Sequence, residues 1–262
     1  VYLLVGILLA VAAVGVGGAL IRSGWLNPPA TRQQARPTPP ATAAPGSPAP
    51  GVAPLAGNPQ ASTGPGQGQV QVTVVDRGAG TFTPVGSQGA ILGTAGALHR
   101  FRVEIENGIN EDPDSFARAI DQTLGDPRSW IAGGQFRLQR VPGAAAAEFT
   151  IYLASPTTSE AMCARGGLHT DKFTSCRLPG QVIINDARWL TAIADYGAPL
   201  EVYRAYALNH EVGHELGHGH EACLGAGQLA PVMQQQTYGL KGCVANPWPF
   251  VNGQRYAGPP IP

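Results

Sequence analysis

Residues 209–221 read NHEVGHELGHGHE. Within them stand His210, Glu211, Val212, Gly213 and His214. On a helix, positions i and i+4 lie one above the other on the same face. Two imidazoles so placed can share one metal ion. Glu211 follows the first histidine and stays near the metal without being a ligand, so it can take a proton from a zinc-bound water. Gly217 comes three residues after His214, and His220 three residues after Gly217. A helix running straight on would carry a third histidine away from the metal. Glycine tolerates positive φ, so the helix can end and the chain can turn at Gly217, which brings His220 back. Three histidines leave a fourth position for water, the catalytic rather than the structural arrangement. The expected site is therefore one Zn²⁺ per chain on His210, His214 and His220, with Glu211 as the catalytic base.

A second register overlaps the first. His214, Glu215 and His218 also fit H-E-x-x-H, which would make Glu215 the base. That register puts Gly217 inside the helix, where glycine costs about 1 kcal/mol against alanine, and leaves the extended pattern unexplained. His218 is accordingly expected off the metal, either behind a ligand or exposed, and Glu215 and Glu221 are read as surface charges, with a place behind the ligands as the alternative. His99 and His169 lie outside the motif and are read as non-ligands. Trp130, Trp189 and Trp248 are read as packing residues.

Working outward, the preceding chain alternates strand and helix signals. QVQVTVV (69–75) and LHRFRVEIE (98–106) alternate apolar and polar residues, the second with Phe101, Val103 and Ile105 on one face. A helix follows with readable ends. Asp112 can cap it, Pro113 suits its first position, and Gly125 can close it. Phe116, Ile120 and Leu124 give that helix one buried stripe. QFRLQRV (135–141), EFTIYLA (148–154) and QVIIN (181–185) look like further strands, and a second helix spans about 200–216. This order implies an α+β domain over 68–262, a mixed sheet packed on two helices.

The remainder of the chain bears on location. Residues 1–21 carry no charge, and such a stretch just spans a bilayer core of ~30 Å. It is read as an uncleaved transmembrane signal anchor, a cleaved signal peptide being the alternative. Residues 27–67 hold 11 of the 24 prolines and only two charges, Arg32 and Arg36. Such a segment cannot bury enough apolar surface to offset its ordering entropy, so 22–67 is read as a disordered linker. Four cysteines, Cys163, Cys176, Cys223 and Cys243, form no C-x-x-C pair. An even number after an export signal reads as disulfides. Proximity favours Cys163–Cys176 and Cys223–Cys243, although four cysteines allow three pairings. Charge is sparse, with 17 basic and 17 acidic residues and no basic stripe, which excludes an electrostatic footprint for nucleic acid.

The pattern H-E-x-x-H-x-x-G-x-x-H resembles the metzincin metallopeptidases. Those enzymes carry a methionine turn beneath the metal, and Met233 in APVMQQQ, 13 residues after His220, stands where that residue is expected. Some metzincins place a tyrosine two residues further on. Here that position is Gln235, with Tyr238 nearby. The blocks TIYLASP (150–156), NHEVGHELGHGHEAC (209–223), APVMQQQT (230–237) and NPWP (246–249) look like a family of secreted or membrane-anchored actinobacterial proteins with this zinc motif, over roughly 70–262. The resemblance implies a metzincin-like fold with an active-site helix, a Met-turn and a short C-terminal part. It also implies an actinobacterial source and an extracytoplasmic place. A Cys223–Cys243 bridge would staple the segment that holds Met233. The expected activity is hydrolysis of peptide bonds in extracytoplasmic proteins or peptides, by a single-pass membrane protein with no nucleic-acid partner. An edge strand above the active helix would hold the extended substrate by strand addition, with QVIIN and EFTIYLA both candidates for it. The alternatives are a cell-wall peptide or amide hydrolase and a non-catalytic binding module that keeps the fold.

Overall fold

A computed structural model describes residues 72–261. The expected anchor and linker lie outside the described residues. Among the described residues, no helix is long and apolar enough to cross a membrane.

In chain order, the first elements are strands β1 (Phe82–Pro84), β2 (Ile91–Leu92) and β3 (Ala97–Glu106), then helix α1 (Pro113–Leu124). Strands β4 (Phe136–Arg140) and β5 (Phe149–Ala154) follow, then helix α2 (Pro156–Ala164). Strands β6 (Cys176–Leu178) and β7 (Gln181–Asn185) lead into helices α3 (Asp186–Thr191) and α4 (Leu200–Glu215). A small hairpin, β8 (Phe250–Val251) and β9 (Gln254–Arg255), comes last. The main sheet runs β2-β4-β3-β5-β7-β6, with β1 pairing the far end of β3. Strands β4, β3, β5 and β7 are mutually parallel, whereas β1, β2 and β6 run antiparallel to their neighbours. The domain is thus a mixed sheet packed with helices.

Side chains alternate across the sheet because successive residues of a strand point to opposite faces. Phe101, Val103 and Ile105 of β3, Ile151 and Leu153 of β5, and Val182 and Ile184 of β7 enter one core with α1 and α4. The intervening Tyr152, Ala154 and Ile183 face α2 and the Cys163–Cys176 disulfide. On α1, Asp112 caps by accepting a hydrogen bond from the Ser115 amide, and the stripe of Phe116, Ile120 and Leu124 is buried as its spacing predicts.

One expectation about strands is corrected. Residues 72–75 join no strand, although they alternate. The place beside the end of β3 is taken by β1. The chain before it is held by single bonds instead, from the Thr157 amide to the Asp76 carbonyl and from the Ala79 amide to the Asn107 carbonyl. Alternation marks a chain that can pair, but a strand also needs a free neighbouring edge. In addition, two helices were missed, α2 and α3. Each has fewer than three turns, too short for periodicity to identify.

Two buried carboxylates differ in their surroundings. Glu106 accepts hydrogen bonds from the amides of Gly80 and Ser155 and from the Thr158 hydroxyl. Asp186, at the start of α3, is fully buried and neither of its oxygens has a partner. Burial, with Glu111 and Glu106 nearby and only Arg204 opposing them, pushes its carboxyl up to about 7. A raised carboxyl holds its proton in the folded state after the unfolded chain has lost it. Its contribution to stability is therefore full at acid pH and lost as pH rises through about 7. Asp186→Asn is expected to flatten that dependence and to stabilise the domain at pH 8 by on the order of 2 kcal/mol. Urea unfolding of both proteins at pH 5 and pH 8 tests this. An unchanged pH slope in the variant would refute the assignment.

Candidate metal centre

The first half of helix α4 holds the strong helix formers Leu200, Glu201, Arg204, Ala205 and Ala207, with Glu201 in its first turn where the helix dipole favours a negative charge. It is buried along most of its length, from Ala205 to Gly213. His210 and His214 project from one face, as their spacing requires. The helix ends after Glu215. The Gly217 amide bonds the His214 carbonyl, the His218 amide bonds the Gly213 carbonyl, and Gly217 takes φ +93°. That left-handed residue reverses the chain and returns His220 to the helix.

The three imidazoles converge. His214 Nε2 lies 3.2 Å from His210 Nε2 and 3.1 Å from His220 Nε2. Nitrogens bound at 2.0–2.1 Å around a tetrahedral zinc stand about 3.3 Å apart, so the donor set fits that ion. The far sides of two rings are also set. His210 Nδ1 lies 2.8 Å from the Val232 carbonyl, and His214 Nδ1 lies 2.8 Å from the His218 carbonyl. A carbonyl there holds the Nδ1–H tautomer and aims the Nε2 lone pair at the point where the three rings converge, as it does in histidines that hold a metal. Burial, then the neighbouring His214, pushes His210 down to about 3, and burial also lowers His214 and His220. All three are neutral near pH 7, the form that ligates. Among the described residues, this is the only group of three or more such side chains close enough to share an ion.

Glu211 is 7% exposed and shares a cleft of about 580 Å³ with the three histidines. Burial pushes its carboxyl up to about 8. A bound dication would pull that value down again. The remaining motif residues have other duties. The His218 ring stacks on Trp130, with centroids 4.3 Å apart, and only its carbonyl serves the site. Glu215 and Glu221 are corrected from surface charges. Glu215 pairs with Arg177 at 2.5 Å and accepts from the Gly180 amide, tying α4 to the sheet edge. Glu221 pairs with Arg255 at 2.6 Å and accepts from the Gly258 amide. The sequence does not say which face Glu221 presents after the chain turns at Gly217, nor which strand lies beside Glu215 at the end of α4. His99 pairs with Glu148 on β5's approach, and His169 sits exposed at the cleft rim near Glu160.

Met233 is fully buried directly beneath α4. A methyl group on Gly213 would lie 2.5 Å from Met233 Sδ and 2.6 Å from Trp130. Gly213 therefore has no room for a side chain, a constraint that the four-residue spacing of the histidines does not reveal. The Met233 carbonyl accepts from the Glu221 amide, which couples this turn to the third histidine. Cys223–Cys243 encloses the turn, and both disulfides have the pairing that proximity favours. The C-terminal segment adds two further bonds, from the Ala222 amide to Pro259 and from the Ile261 amide to His220.

Three tyrosines also went unread in the sequence. Tyr196 donates to Gln236, Tyr203 bonds the Thr237 hydroxyl, and the Tyr206 phenol accepts from the Thr237 amide. They hold residues 236–237 against α4, so that Gln235, Thr237 and Tyr238 line the cleft. The spacing Tyr203, Tyr206, His210 marks one helix face, which was the available signal. Asn209 donates to the Pro247 carbonyl and accepts from Ser129, while Trp130 donates to the Asn209 carbonyl. These contacts bind the NPWP block to α4.

The fold and the site together define an α+β domain with a three-histidine centre on the floor of a cleft. Residues 69–244 match the family described as Protein of unknown function (DUF3152), and the chain belongs to that family. The matched span includes the three histidines, Glu211, Met233 and both disulfides, and it stops before Arg255. No curated protein and no solved structure matches the chain.

Proposed function

We propose that this domain is a zinc-dependent peptidase of the metzincin type that acts on extracytoplasmic proteins or peptides. The observation that carries the reading is the convergence of His210, His214 and His220 in the cleft that also exposes Glu211. The left-handed Gly217 and the buried Met233 under α4 support the metzincin assignment. The two disulfides and the uncharged 1–21 segment support an extracytoplasmic place on the membrane.

Zinc bound there supplies Lewis acidity, polarising a carbonyl and acidifying water near neutral pH. Glu211 takes the proton from the attacking water and passes it to the leaving amine. Its buried position excludes bulk water from that transfer. The substrate chain lies along the sheet edge that borders the cleft. Neither QVIIN nor EFTIYLA can be that edge, because β5 lies between β3 and β7, and β7 lies between β5 and β6. The terminal strand is β6, and Cys176 and Arg177 of β6 line the cleft. An extended peptide adds to such an edge by main-chain hydrogen bonds.

The test is metal content and cleavage in one preparation. Mass spectrometry of the full chain is expected to find one zinc per chain. Cleavage of a quenched fluorescent peptide library is expected to stop with 1,10-phenanthroline and to return with added zinc. A metal-free chain, or cleavage indifferent to the chelator, would overturn the proposal.

A further inference from the structure

A second depression adjoins the metal cleft. The two share Thr237 and Tyr238 as a common wall. Phe173, Arg188, Thr191 and Gly239 form much of the remainder. Arg188 projects from α3, and its guanidinium carbon lies 4.8 Å from the centre of the Phe173 ring. Phe173 in turn lies 6.1 Å from Tyr238, ring centre to ring centre. The wall thus runs without a break from the metal cleft to the arginine.

Arg188 differs from the other arginine of this region. Arg177 also lines the metal cleft, but Glu215 neutralises it at 2.5 Å. Arg188 makes no salt bridge among the described residues. Its Nε is buried with no hydrogen-bond partner. No carboxylate lines the depression. Asp186 cannot serve, since residues two apart on a helix do not face each other and its own oxygens are buried without a partner. A guanidinium lying over an aromatic ring, partly desolvated and unpaired, is matched in chemistry and charge to a carboxylate.

We propose that Arg188 is a specificity-determining residue that receives a carboxylate of the peptide substrate in a subsite next to the metal centre. The inference rests on the peptidase reading given above. The carboxylate is either an acidic side chain or the C-terminal carboxyl of a short peptide. A charge-assisted contact of this kind is worth roughly 10- to 100-fold in kcat/KM.

The experiment uses the full zinc-loaded chain and matched peptides that differ by Glu against Gln at one position, or by a C-terminal acid against an amide. The wild type is expected to prefer one acid form by at least tenfold, as an order of magnitude for a charged contact. Arg188→Gln should bring that ratio near one, and Arg188→Lys should keep part of it. The pair that shows the effect tells side chain from terminus. The same peptides are also titrated calorimetrically into Glu211→Gln protein with and without Arg188→Gln. Cleavage with no acid preference, or with a preference that survives Arg188→Gln, overturns the subsite and leaves the peptidase reading intact. Binding that depends on the acid and on Arg188, without cleavage, supports the subsite and overturns the peptidase reading. Peptides neither bound nor cleaved overturn both.

Discussion

Glu211→Gln is expected to lower kcat by two to four orders of magnitude, the usual range for a lost general base, while one zinc per chain is retained. The substitution is isosteric and removes the carboxylate's charge and its ability to accept a proton. Glu211 accepts no hydrogen bond from the described residues, so glutamine orphans no donor. Burial already favours the neutral form of this side chain in the metal-free chain. The variant should therefore fold at least as well as the wild type. His210 and His214 keep their carbonyl partners at Val232 and His218. Rate and metal content should be read from the same sample, because a slow variant without zinc would say nothing about the base. A variant that hydrolyses peptides at close to the wild-type rate while loaded with zinc would remove Glu211 from the mechanism.

His220→Ala is expected to lose the metal, and His218→Ala to keep it. His220 is the only one of the three converging histidines outside α4. Without it, two imidazoles and water remain, too few protein donors for a catalytic zinc site. Zinc should fall from one per chain to a small fraction of that after dialysis. His218 contributes differently. Its ring stacks on Trp130, worth about 1 kcal/mol. Its carbonyl, which orients His214, survives the substitution. Loss of stacking should lower the melting temperature by a few degrees and leave zinc in place. Mass spectrometry of the two proteins decides between the overlapping registers. Zinc lost with His218 and kept with His220 would move the base to Glu215, which now pairs with Arg177.

Much of the site was legible because its constraints are local. The separation of His210 and His214 follows from 3.6 residues per turn. The turn at Gly217 follows from a residue with no Cβ, and φ +93° is observed there. Sequence proximity likewise favoured both disulfides, which close loops with separations of 13 and 20 residues. The strands β3, β4, β5 and β7 could be read from apolar runs, but their neighbours could not. A strand's pattern says which face is buried and is silent on which strand lies alongside. QVIIN and EFTIYLA therefore looked equally suited to hold a substrate, while the sheet order leaves that place to three-residue β6.

By itself, the sequence determined the local geometry of this protein's centre: which histidines could converge, which carboxylate stood beside them, and where the helix had to end. Each of those statements concerns residues within one or two turns of chain, where geometry is nearly invariant. Tertiary structure alone decided what surrounds that centre. It brought Val232 behind His210, Met233 against Gly213, Arg255 onto Glu221, and three tyrosines against residues 236–237. It also left Arg188 unpaired beside the cleft while neutralising Arg177. These pairings join residues from 20 to 40 positions apart, and such contacts depend on how helices and strands pack, which no local pattern encodes.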